Sequence, residues 1–161
     1  MDLDRKDFLI LSELYADARM PVSEISRKTG IQRDSVIYRI NKMKKEGLIK
    51  SFIPVLNPEK IGFPIYAYVS FSMKSLDKEK ENEFISFCEK NPFITYLASL
   101  SGKWDYEIVI SAENLEHLNA VLKEIRTNFS ELIQVYESTL ILNEIKYDFL
   151  LGLVDVKTKN K

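Results

Sequence analysis

The sequence predicts an α+β fold, an N-terminal winged helix-turn-helix followed by a ferredoxin-like βαββαβ domain. Three observations predict it. Residues 4–46 hold three short helical periods, the last two joined by a tight turn at Gly30. The stretch 57–64, NPEKIGFP, interrupts the chain with two prolines and a glycine. Beyond it the rhythm changes to strand alternation, and the elements follow in the order β-α-β-β-α-β.

Asp2 and Asp4 stand where an N-cap and a first-turn acid belong. Phe8, Leu11, Leu14, Tyr15 and Ala18 recur at three- and four-residue spacing, so residues 4–18 read as an amphipathic helix. Pro21 suits the first turn of a second, shorter helix, VSEISRKTG, which Gly30 ends. Ile31 leads into a third, from about Gln32 to Glu46, stopped by Gly47. The following LIKSFIPVL has strand composition, Pro54 confines it to an edge, and a two-stranded wing is expected there. The expected organisation is residues 1–50 for the helix-turn-helix, 51–63 for wing and linker, 64–150 for the ferredoxin-like domain and 151–161 for a C-terminal tail.

In IYAYVSFSM (65–73), Ile65, Ala67, Val69, Phe71 and Met73 share one face. DKEKENEFISFCEK reads as a charged helix with an apolar stripe of Phe84, Phe87 and Cys88, ended by Asn91-Pro92. ITYLASLS (94–101) and WDYEIVIS (104–111) are strands around a Gly102-Lys103 turn. Leu115, Leu118, Leu122, Ile125 and Phe129 mark another helix, and a long strand is expected from about Ile133 to Lys146. The order gives a four-stranded antiparallel sheet with both helices on one face. On its other face the alternate positions Tyr66, Tyr68, Leu97, Val109, Tyr136, Leu140 and Leu142 are too apolar for water. A second copy of the sheet is the simplest cover, so a homodimer at least is expected.

Composition excludes several classes. With 45% hydrophobic and 29% charged residues and few Gly or Pro, the chain suits a folded globular protein. The single Cys88 excludes an internal disulfide and reads as a buried hydrophobe. MDLDRKDF places acids where a secretory signal needs bases, and no apolar run reaches membrane-spanning length, so no membrane partner and a cytoplasmic location are expected. One histidine, His117, is expected exposed beside Glu116 and Asn119. There is no Gly-rich phosphate loop and no metal-ligand cluster, so no catalytic residue, metal or cofactor is assigned and an enzyme is not expected.

Net charge is −1, yet it is unevenly spread: residues 20–50 carry 8 Lys/Arg against 3 Asp/Glu, whereas residues 51–161 carry 12 against 16. On a wheel of the third helix, Val36, Ile40 and Met43 form the core stripe. Asp34, Ser35, Tyr38, Lys42 and Lys45 fall opposite, with Arg33 and Arg39 flanking. A helix-turn-helix inserts the N-terminal end of its second helix into the major groove, which here presents Gln32, Arg33, Ser35 and Tyr38. Gln and Arg can make paired hydrogen bonds to adenine and guanine edges. Lys42, Lys44, Lys45 and Lys50 suit phosphates, adding affinity and salt dependence without sequence choice. Arg39 lies close enough to the core stripe to pair instead with an acid of the first helix, and Asp34 suits the helix N-terminus.

Residues 3–52, LDRKDFLILSELYADARMPVSEISRKTGIQRDSVIYRINKMKKEGLIKSF, resemble the winged helix-turn-helix of the Lrp/AsnC (feast/famine) transcription regulators. The anchors are Leu3-Asp4, Ala18-Arg19, Ile25, Gly30, Val36, Arg39-Ile40, Gly47 and Ile49. The βαββαβ half resembles that family's amino-acid-sensing domain, with a G-x-aromatic-D turn at Gly102-Lys103-Trp104-Asp105. The resemblance implies a regulator of double-stranded DNA whose sensor domains dimerise and assemble to octamers, with a small effector such as an amino acid between them. It nominates Ser101, Gly102 and Asp105, with Ser138 and Thr139 on the last strand, as effector contacts. Backbone amides at a glycine turn can hold a carboxylate, and Asp105 an ammonium; Gly102 and Asp105 equally suit a plain hairpin and its cap. Two departures stand out: Gln32 replaces the usual Ser or Thr cap, and the tail YDFLLGLVDVKTKNK is unusually apolar. The competing reading is an oligomeric metabolite-binding or architectural protein that uses only the lysines and binds DNA without sequence preference.

Overall fold

The computed structural model describes residues 2–74, 77–146 and 153; these divide into two compact units, the first holding residues 2–55 with Lys146 and Leu153 and the second Leu56 to Ile145. In the first, α1 (Arg5–Ala16), α2 (Val22–Thr29) and α3 (Arg33–Lys45) surround Ile10, Leu14, Ile25, Ile31, Val36 and Met43. Leu11, Met20, Val22, Ile40 and Ile49 close this core from its edges.

Helix α1 is capped by Asp4, two residues later than Asp2 would cap it, because Asp4 and Asp7 satisfy each other. The Asp7 N–H donates to Asp4 Oδ1 and the Asp4 N–H donates to Asp7 Oδ2, each at 3.0 Å. This reciprocal cap closes two of the donors a helix start leaves open. Arg39, midway along α3, then donates from Nη1 to Asp4 Oδ1 at 2.8 Å and to Asp7 Oδ1 at 2.7 Å. Asp7 is only 5% exposed, so its carboxylate needs this partner. Two aspartates and one arginine therefore tie the start of α1 to the middle of α3.

Helix α3 ends in a Schellman turn. Gly47 adopts φ 74°, its N–H donates to the Lys44 carbonyl, and the Leu48 N–H donates to that of Met43. Past this stop the expected wing does not form: among the described residues, 48–57 hold no strand. An extended segment becomes a strand only beside a partner, and Pro54 has no N–H to offer. Phe52, Ile53, Val55 and Leu56 consequently lie exposed.

The second unit opens with a 3-10 turn, Glu59–Ile61, and continues through β1 (Ile65–Met73), α4 (Lys78–Lys90), β2 (Ile94–Ser99), β3 (Tyr106–Ala112), α5 (Leu115–Asn128) and β4 (Ile133–Leu140). The sheet order is β2-β3-β1-β4, every pair antiparallel. Asp77 and Asn114 cap α4 and α5 with their side chains. Ala67, Val69, Phe71, Ile108, Ile110 and Ala112 meet Phe84, Cys88, Leu118, Val121, Leu122 and Ile125 in one core. Burial pushes the Cys88 thiol up to about 12, so it stays protonated and packs as a hydrophobe. No helix among the described residues is long and apolar enough to cross a membrane.

Strand β4 stops at Leu140, short of Lys146. Its partner β1 begins at Ile65, behind Pro64, so the ladder has only the Ile141 N–H to Tyr66 carbonyl bond left to add. The composition of the second sheet face is also corrected, for one reason in two places. In β2, Ile94 lies opposite Ile110 but Tyr96 opposite Val109, so Thr95 is an extra residue. In β4, Ile133 lies opposite Met73 but Val135 opposite Ser72, so Gln134 is extra. Each irregularity reverses the alternation that follows it. Leu97 and Tyr136 thereby turn onto the helix-side core, and Leu140 follows Tyr136 in phase. Leu142 lies past the strand end, 95% exposed. The helix-free face instead carries Tyr66, Tyr68, Val109, Tyr96 and Val135. The apolar tail from Tyr147 onward falls, apart from Leu153, outside the described residues.

Replacing Arg39 with Ala should cost the first unit about 1–3 kcal/mol, because Asp7 would stay buried without its cation. Burial raises the Asp4 carboxyl, but the Asp7 N–H and the Arg39 guanidinium outweigh this and hold it below its ordinary value. Its contribution is complete above the ordinary carboxylate range, about pH 4, and disappears as pH falls through the lowered value. Thermal unfolding followed by far-UV circular dichroism should show this acid-sensitive component in the wild type and its reduction in Arg39→Ala.

Candidate nucleic-acid interface

The outward face of α3 is built by the core stripe beneath it. With Val36 and Met43 fully buried, Gln32, Arg33, Asp34, Tyr38, Lys42 and Lys45 must point away from the unit, and all are exposed. Tyr38 is 66% exposed, which wastes an aromatic ring unless something covers it. Ser35 is half-buried at the shoulder of the helix, and Lys50 is exposed beyond the Gly47 turn. Among the described residues, none of Arg33, Lys42, Lys45 and Lys50 forms a salt bridge. Arg39 does not share that face. Its guanidinium is held by Asp7 and Asp4, its pKa is raised chiefly by the Asp7 hydrogen bond, and its role in this unit is to clamp α1.

Gln32 occupies the N-cap of α3 and makes no side-chain cap hydrogen bond. Serine or threonine would use its hydroxyl on the helix's own N–H groups, whereas this amide remains available to a ligand. Two further positions belong to the surface and went unselected in the sequence. Asn41 is exposed three residues after Tyr38 and four before Lys45, on the same helical line, and Ile37 is 38% exposed beside Tyr38. At about 100° per residue Asn41 falls opposite the Val36–Met43 stripe, so helical spacing alone is the signal that places it on this surface. The surface thus combines amide, guanidinium and phenol groups at the helix start with ammonium groups toward its end, chemistry that suits base edges at the one and phosphates at the other.

The nominated effector residues are not all brought together. Ser101 and Gly102 are exposed in the β2–β3 turn, where Gly102 takes φ 152°, a conformation that side chains resist. Asp105 closes that turn: its N–H donates to the Phe71 carbonyl at 2.8 Å, its carbonyl accepts from Leu100 N–H, and Oδ2 accepts from Met73 N–H at 2.7 Å. Lys103 lies over the Trp104 ring at 4.4 Å. Ser138 and Thr139 sit on β4, at the opposite edge of the sheet from β2, and point to opposite faces because Ser138 pairs with Val69 and Thr139 with Tyr68. His117, expected in solvent, is half-buried, its ring edge-on to Phe93 and its Nδ1 accepting from the Glu113 N–H.

A recognition helix mounted on a helix-turn-helix, joined in one chain to a βαββαβ domain, defines a DNA-binding regulator with a ligand-binding module. Comparison with known proteins agrees: residues 3–50 match the model of a winged helix-turn-helix DNA-binding domain, and residues 66–151 match the Lrp/AsnC ligand binding domain. The chain belongs to the Lrp/AsnC family of transcriptional regulators. It is 33% identical over 121 residues to the HTH-type transcriptional regulator FL11 of Pyrococcus furiosus, covering 75% of this chain and 76% of that one. The structure of Bacillus subtilis LrpC superposes with a TM-score of 0.78 at 28% identity, over 92% of this chain and all of that one. A transcriptional regulator of Neisseria meningitidis, solved as an L-Met complex, superposes at 0.85 with 22% identity, over 94% and 99%, a likeness of fold.

Gln32→Ser should raise the stability of the first unit by about 1 kcal/mol by supplying the missing cap. If the Gln32 amide reads a base, the same variant should lose discrimination between its preferred duplex and a scrambled one. Denaturant unfolding and a competitive binding assay measure the two effects separately.

Proposed function

We propose that this regulator selects its DNA sites through the N-terminal half of α3, with Gln32, Arg33 and Tyr38 at base edges and Ser35 at their margin. Lys42, Lys45 and Lys50, with Lys44, hold phosphates, and Arg39 acts through α1. The exposed, uncapped and salt-bridge-free start of α3 is the observation that carries this reading. Two copies pair through the helix-free sheet face, where Tyr68 is 41%, Tyr96 51% and Val135 51% exposed. Further assembly toward an octamer and action in the cytoplasm follow the same reading. An amino acid serves as effector, supported by the Lrp/AsnC ligand binding domain and by the L-Met complex of the Neisseria relative. It rests against the Ser101–Asp105 turn of one copy. Ser138 or Thr139 of another would complete its site, since one protomer keeps them at the far edge of the sheet.

Fluorescence anisotropy with the upstream region of its own gene and a scrambled duplex tests the first part. Arg33→Ala should cost about 1–3 kcal/mol on the preferred duplex and little on the scrambled one. Lys42→Ala should weaken both and reduce the salt slope by about one. Equal losses on both duplexes for Arg33→Ala and Tyr38→Ala would favour the architectural reading. An amino-acid mixture should shift the wild-type affinity, and Ser101→Ala should blunt that shift. Tyr68→Glu should move the sedimentation coefficient toward monomer; an unchanged value would remove the sheet face as the dimer surface.

A further inference from the structure

A groove lined by cationic and hydrogen-bonding side chains lies on the helix side of the sheet and shares no residue with those assigned to DNA and effector. It runs between the last turns of α5 and the start of β4, encloses about 560 Å³, and is lined by Lys123, Arg126, Thr127, Ser130, Ile133, Gln134 and Tyr136. The bulge at Gln134 creates it by turning Tyr136 inward. The Tyr136 ring stacks on Phe71 with centroids 6.4 Å apart, and the Arg126 guanidinium lies over the Tyr136 ring at 5.2 Å. The aromatic ring is thus held by Phe71, and the guanidinium is oriented by the ring.

The local charge is one-sided. Two cations and no carboxylate line the groove, and among the described residues no acid pairs with either Lys123 or Arg126. Neighbouring acids point elsewhere. Glu124 lines a different cavity with Lys90 and His117, Glu131 is bound to Lys80 at 2.8 Å, and Glu137 pairs with Ser70 on the helix-free face. A cation needed only to complement the end of α5 would not require the second cation, two hydroxyls, an amide and a ring gathered in one concavity.

We propose that this groove is a binding site for a small anionic metabolite, one carrying a carboxylate or a phosphate. The anion lies between Lys123 and Arg126, whose planar fork suits two oxygens, with Thr127 and Ser130 as hydroxyl partners. An apolar or ring-bearing body rests on Ile133, beside the edge of Tyr136. The site shares no residue with the Ser101–Asp105 turn, so the regulator has room for two chemical inputs. A concave groove with an aromatic edge suits a small molecule better than the flat track of a polyanion.

Arginine footprinting of the intact, assembled protein tests this. Phenylglyoxal modification is read residue by residue by mass spectrometry, with Arg33 as the exposed control and chloride matching ionic strength. Inorganic phosphate and 3-phenylpropionate are the two probes, one for each source of the anion. If a bound anion shields Arg126, its modification rate should fall saturably, roughly tenfold at about ten times the dissociation constant, while Arg33 is unchanged. Protection by phosphate alone assigns a phosphorylated ligand, and stronger protection by 3-phenylpropionate assigns a carboxylate whose body rests on Ile133 beside Tyr136. Lys123→Gln, an exposed substitution, should reduce the protection severalfold. Equal slowing of Arg126 and Arg33, no protection by either probe, or protection unaffected by Lys123→Gln would overturn the proposal. Protection of Arg126 by duplex DNA and by neither small anion would make the groove a DNA contact and overturn it equally.

Discussion

The first unit depends on a three-residue ionic contact, Asp4 and Asp7 of α1 with Arg39 of α3. A small helical unit has little core, a central cluster of six buried residues among those described, and cannot rely on apolar area alone to fix the angle of its recognition helix. The arginine supplies direction. Its position midway along α3 means that the side of the helix facing α1 is settled, and the opposite side, with Tyr38, Asn41 and Lys45, is settled with it. The same two aspartates cap α1 against each other, so one cluster starts one helix and orients another. Desolvating such a cluster is costly, and it persists because each carboxylate oxygen in use has a donor.

The second unit is governed by two irregularities of one residue each. Thr95 and Gln134 interrupt the register of β2 and β4, and every side chain beyond them changes face. That choice determines what the helix-free surface presents, a set of tyrosines with Val109 and Val135, and what is taken into the core, Leu97 and Tyr136. It also determines where Arg126 can find an aromatic partner. A strictly alternating β4 would have left Tyr136 on the outer face and the groove beside α5 without that ring. The outward turn of Val135 and the groove are two outcomes of the same extra residue, Gln134.

The two units illustrate different kinds of polar economy. On α3 the first turn leaves an N-cap side chain free, a local weakness where contact with a ligand is useful. At the β2–β3 turn the reverse holds, since Asp105 is committed through its N–H, carbonyl and carboxylate. Asp105 therefore shapes the turn, and the exposed Ser101 and Gly102 are the groups it holds out.

Much of this was legible in the residues themselves. Helix periods around Phe8, Ile25, Val36 and Leu122, the Gly30 and Gly47 stops, and the alternation of Ile65–Met73 are local signals, written at spacings that only one kind of element satisfies. The basic, hydrogen-bonding face of α3 was legible for the same reason, since a wheel needs no tertiary information once the core stripe is known. What the tertiary structure decided is everything that depends on a distant partner. Arg39 went to α1 because Asp7 is buried within reach of it, across 32 positions of chain. The wing found no ladder among the described residues because an extended segment has no identity without a second strand. Tyr136 and Leu97 turned inward because a bulge is a property of a pair of strands, invisible in either one alone. Sequence by itself determined which elements exist and in what order; pairing, which is non-local, decided which faces they show.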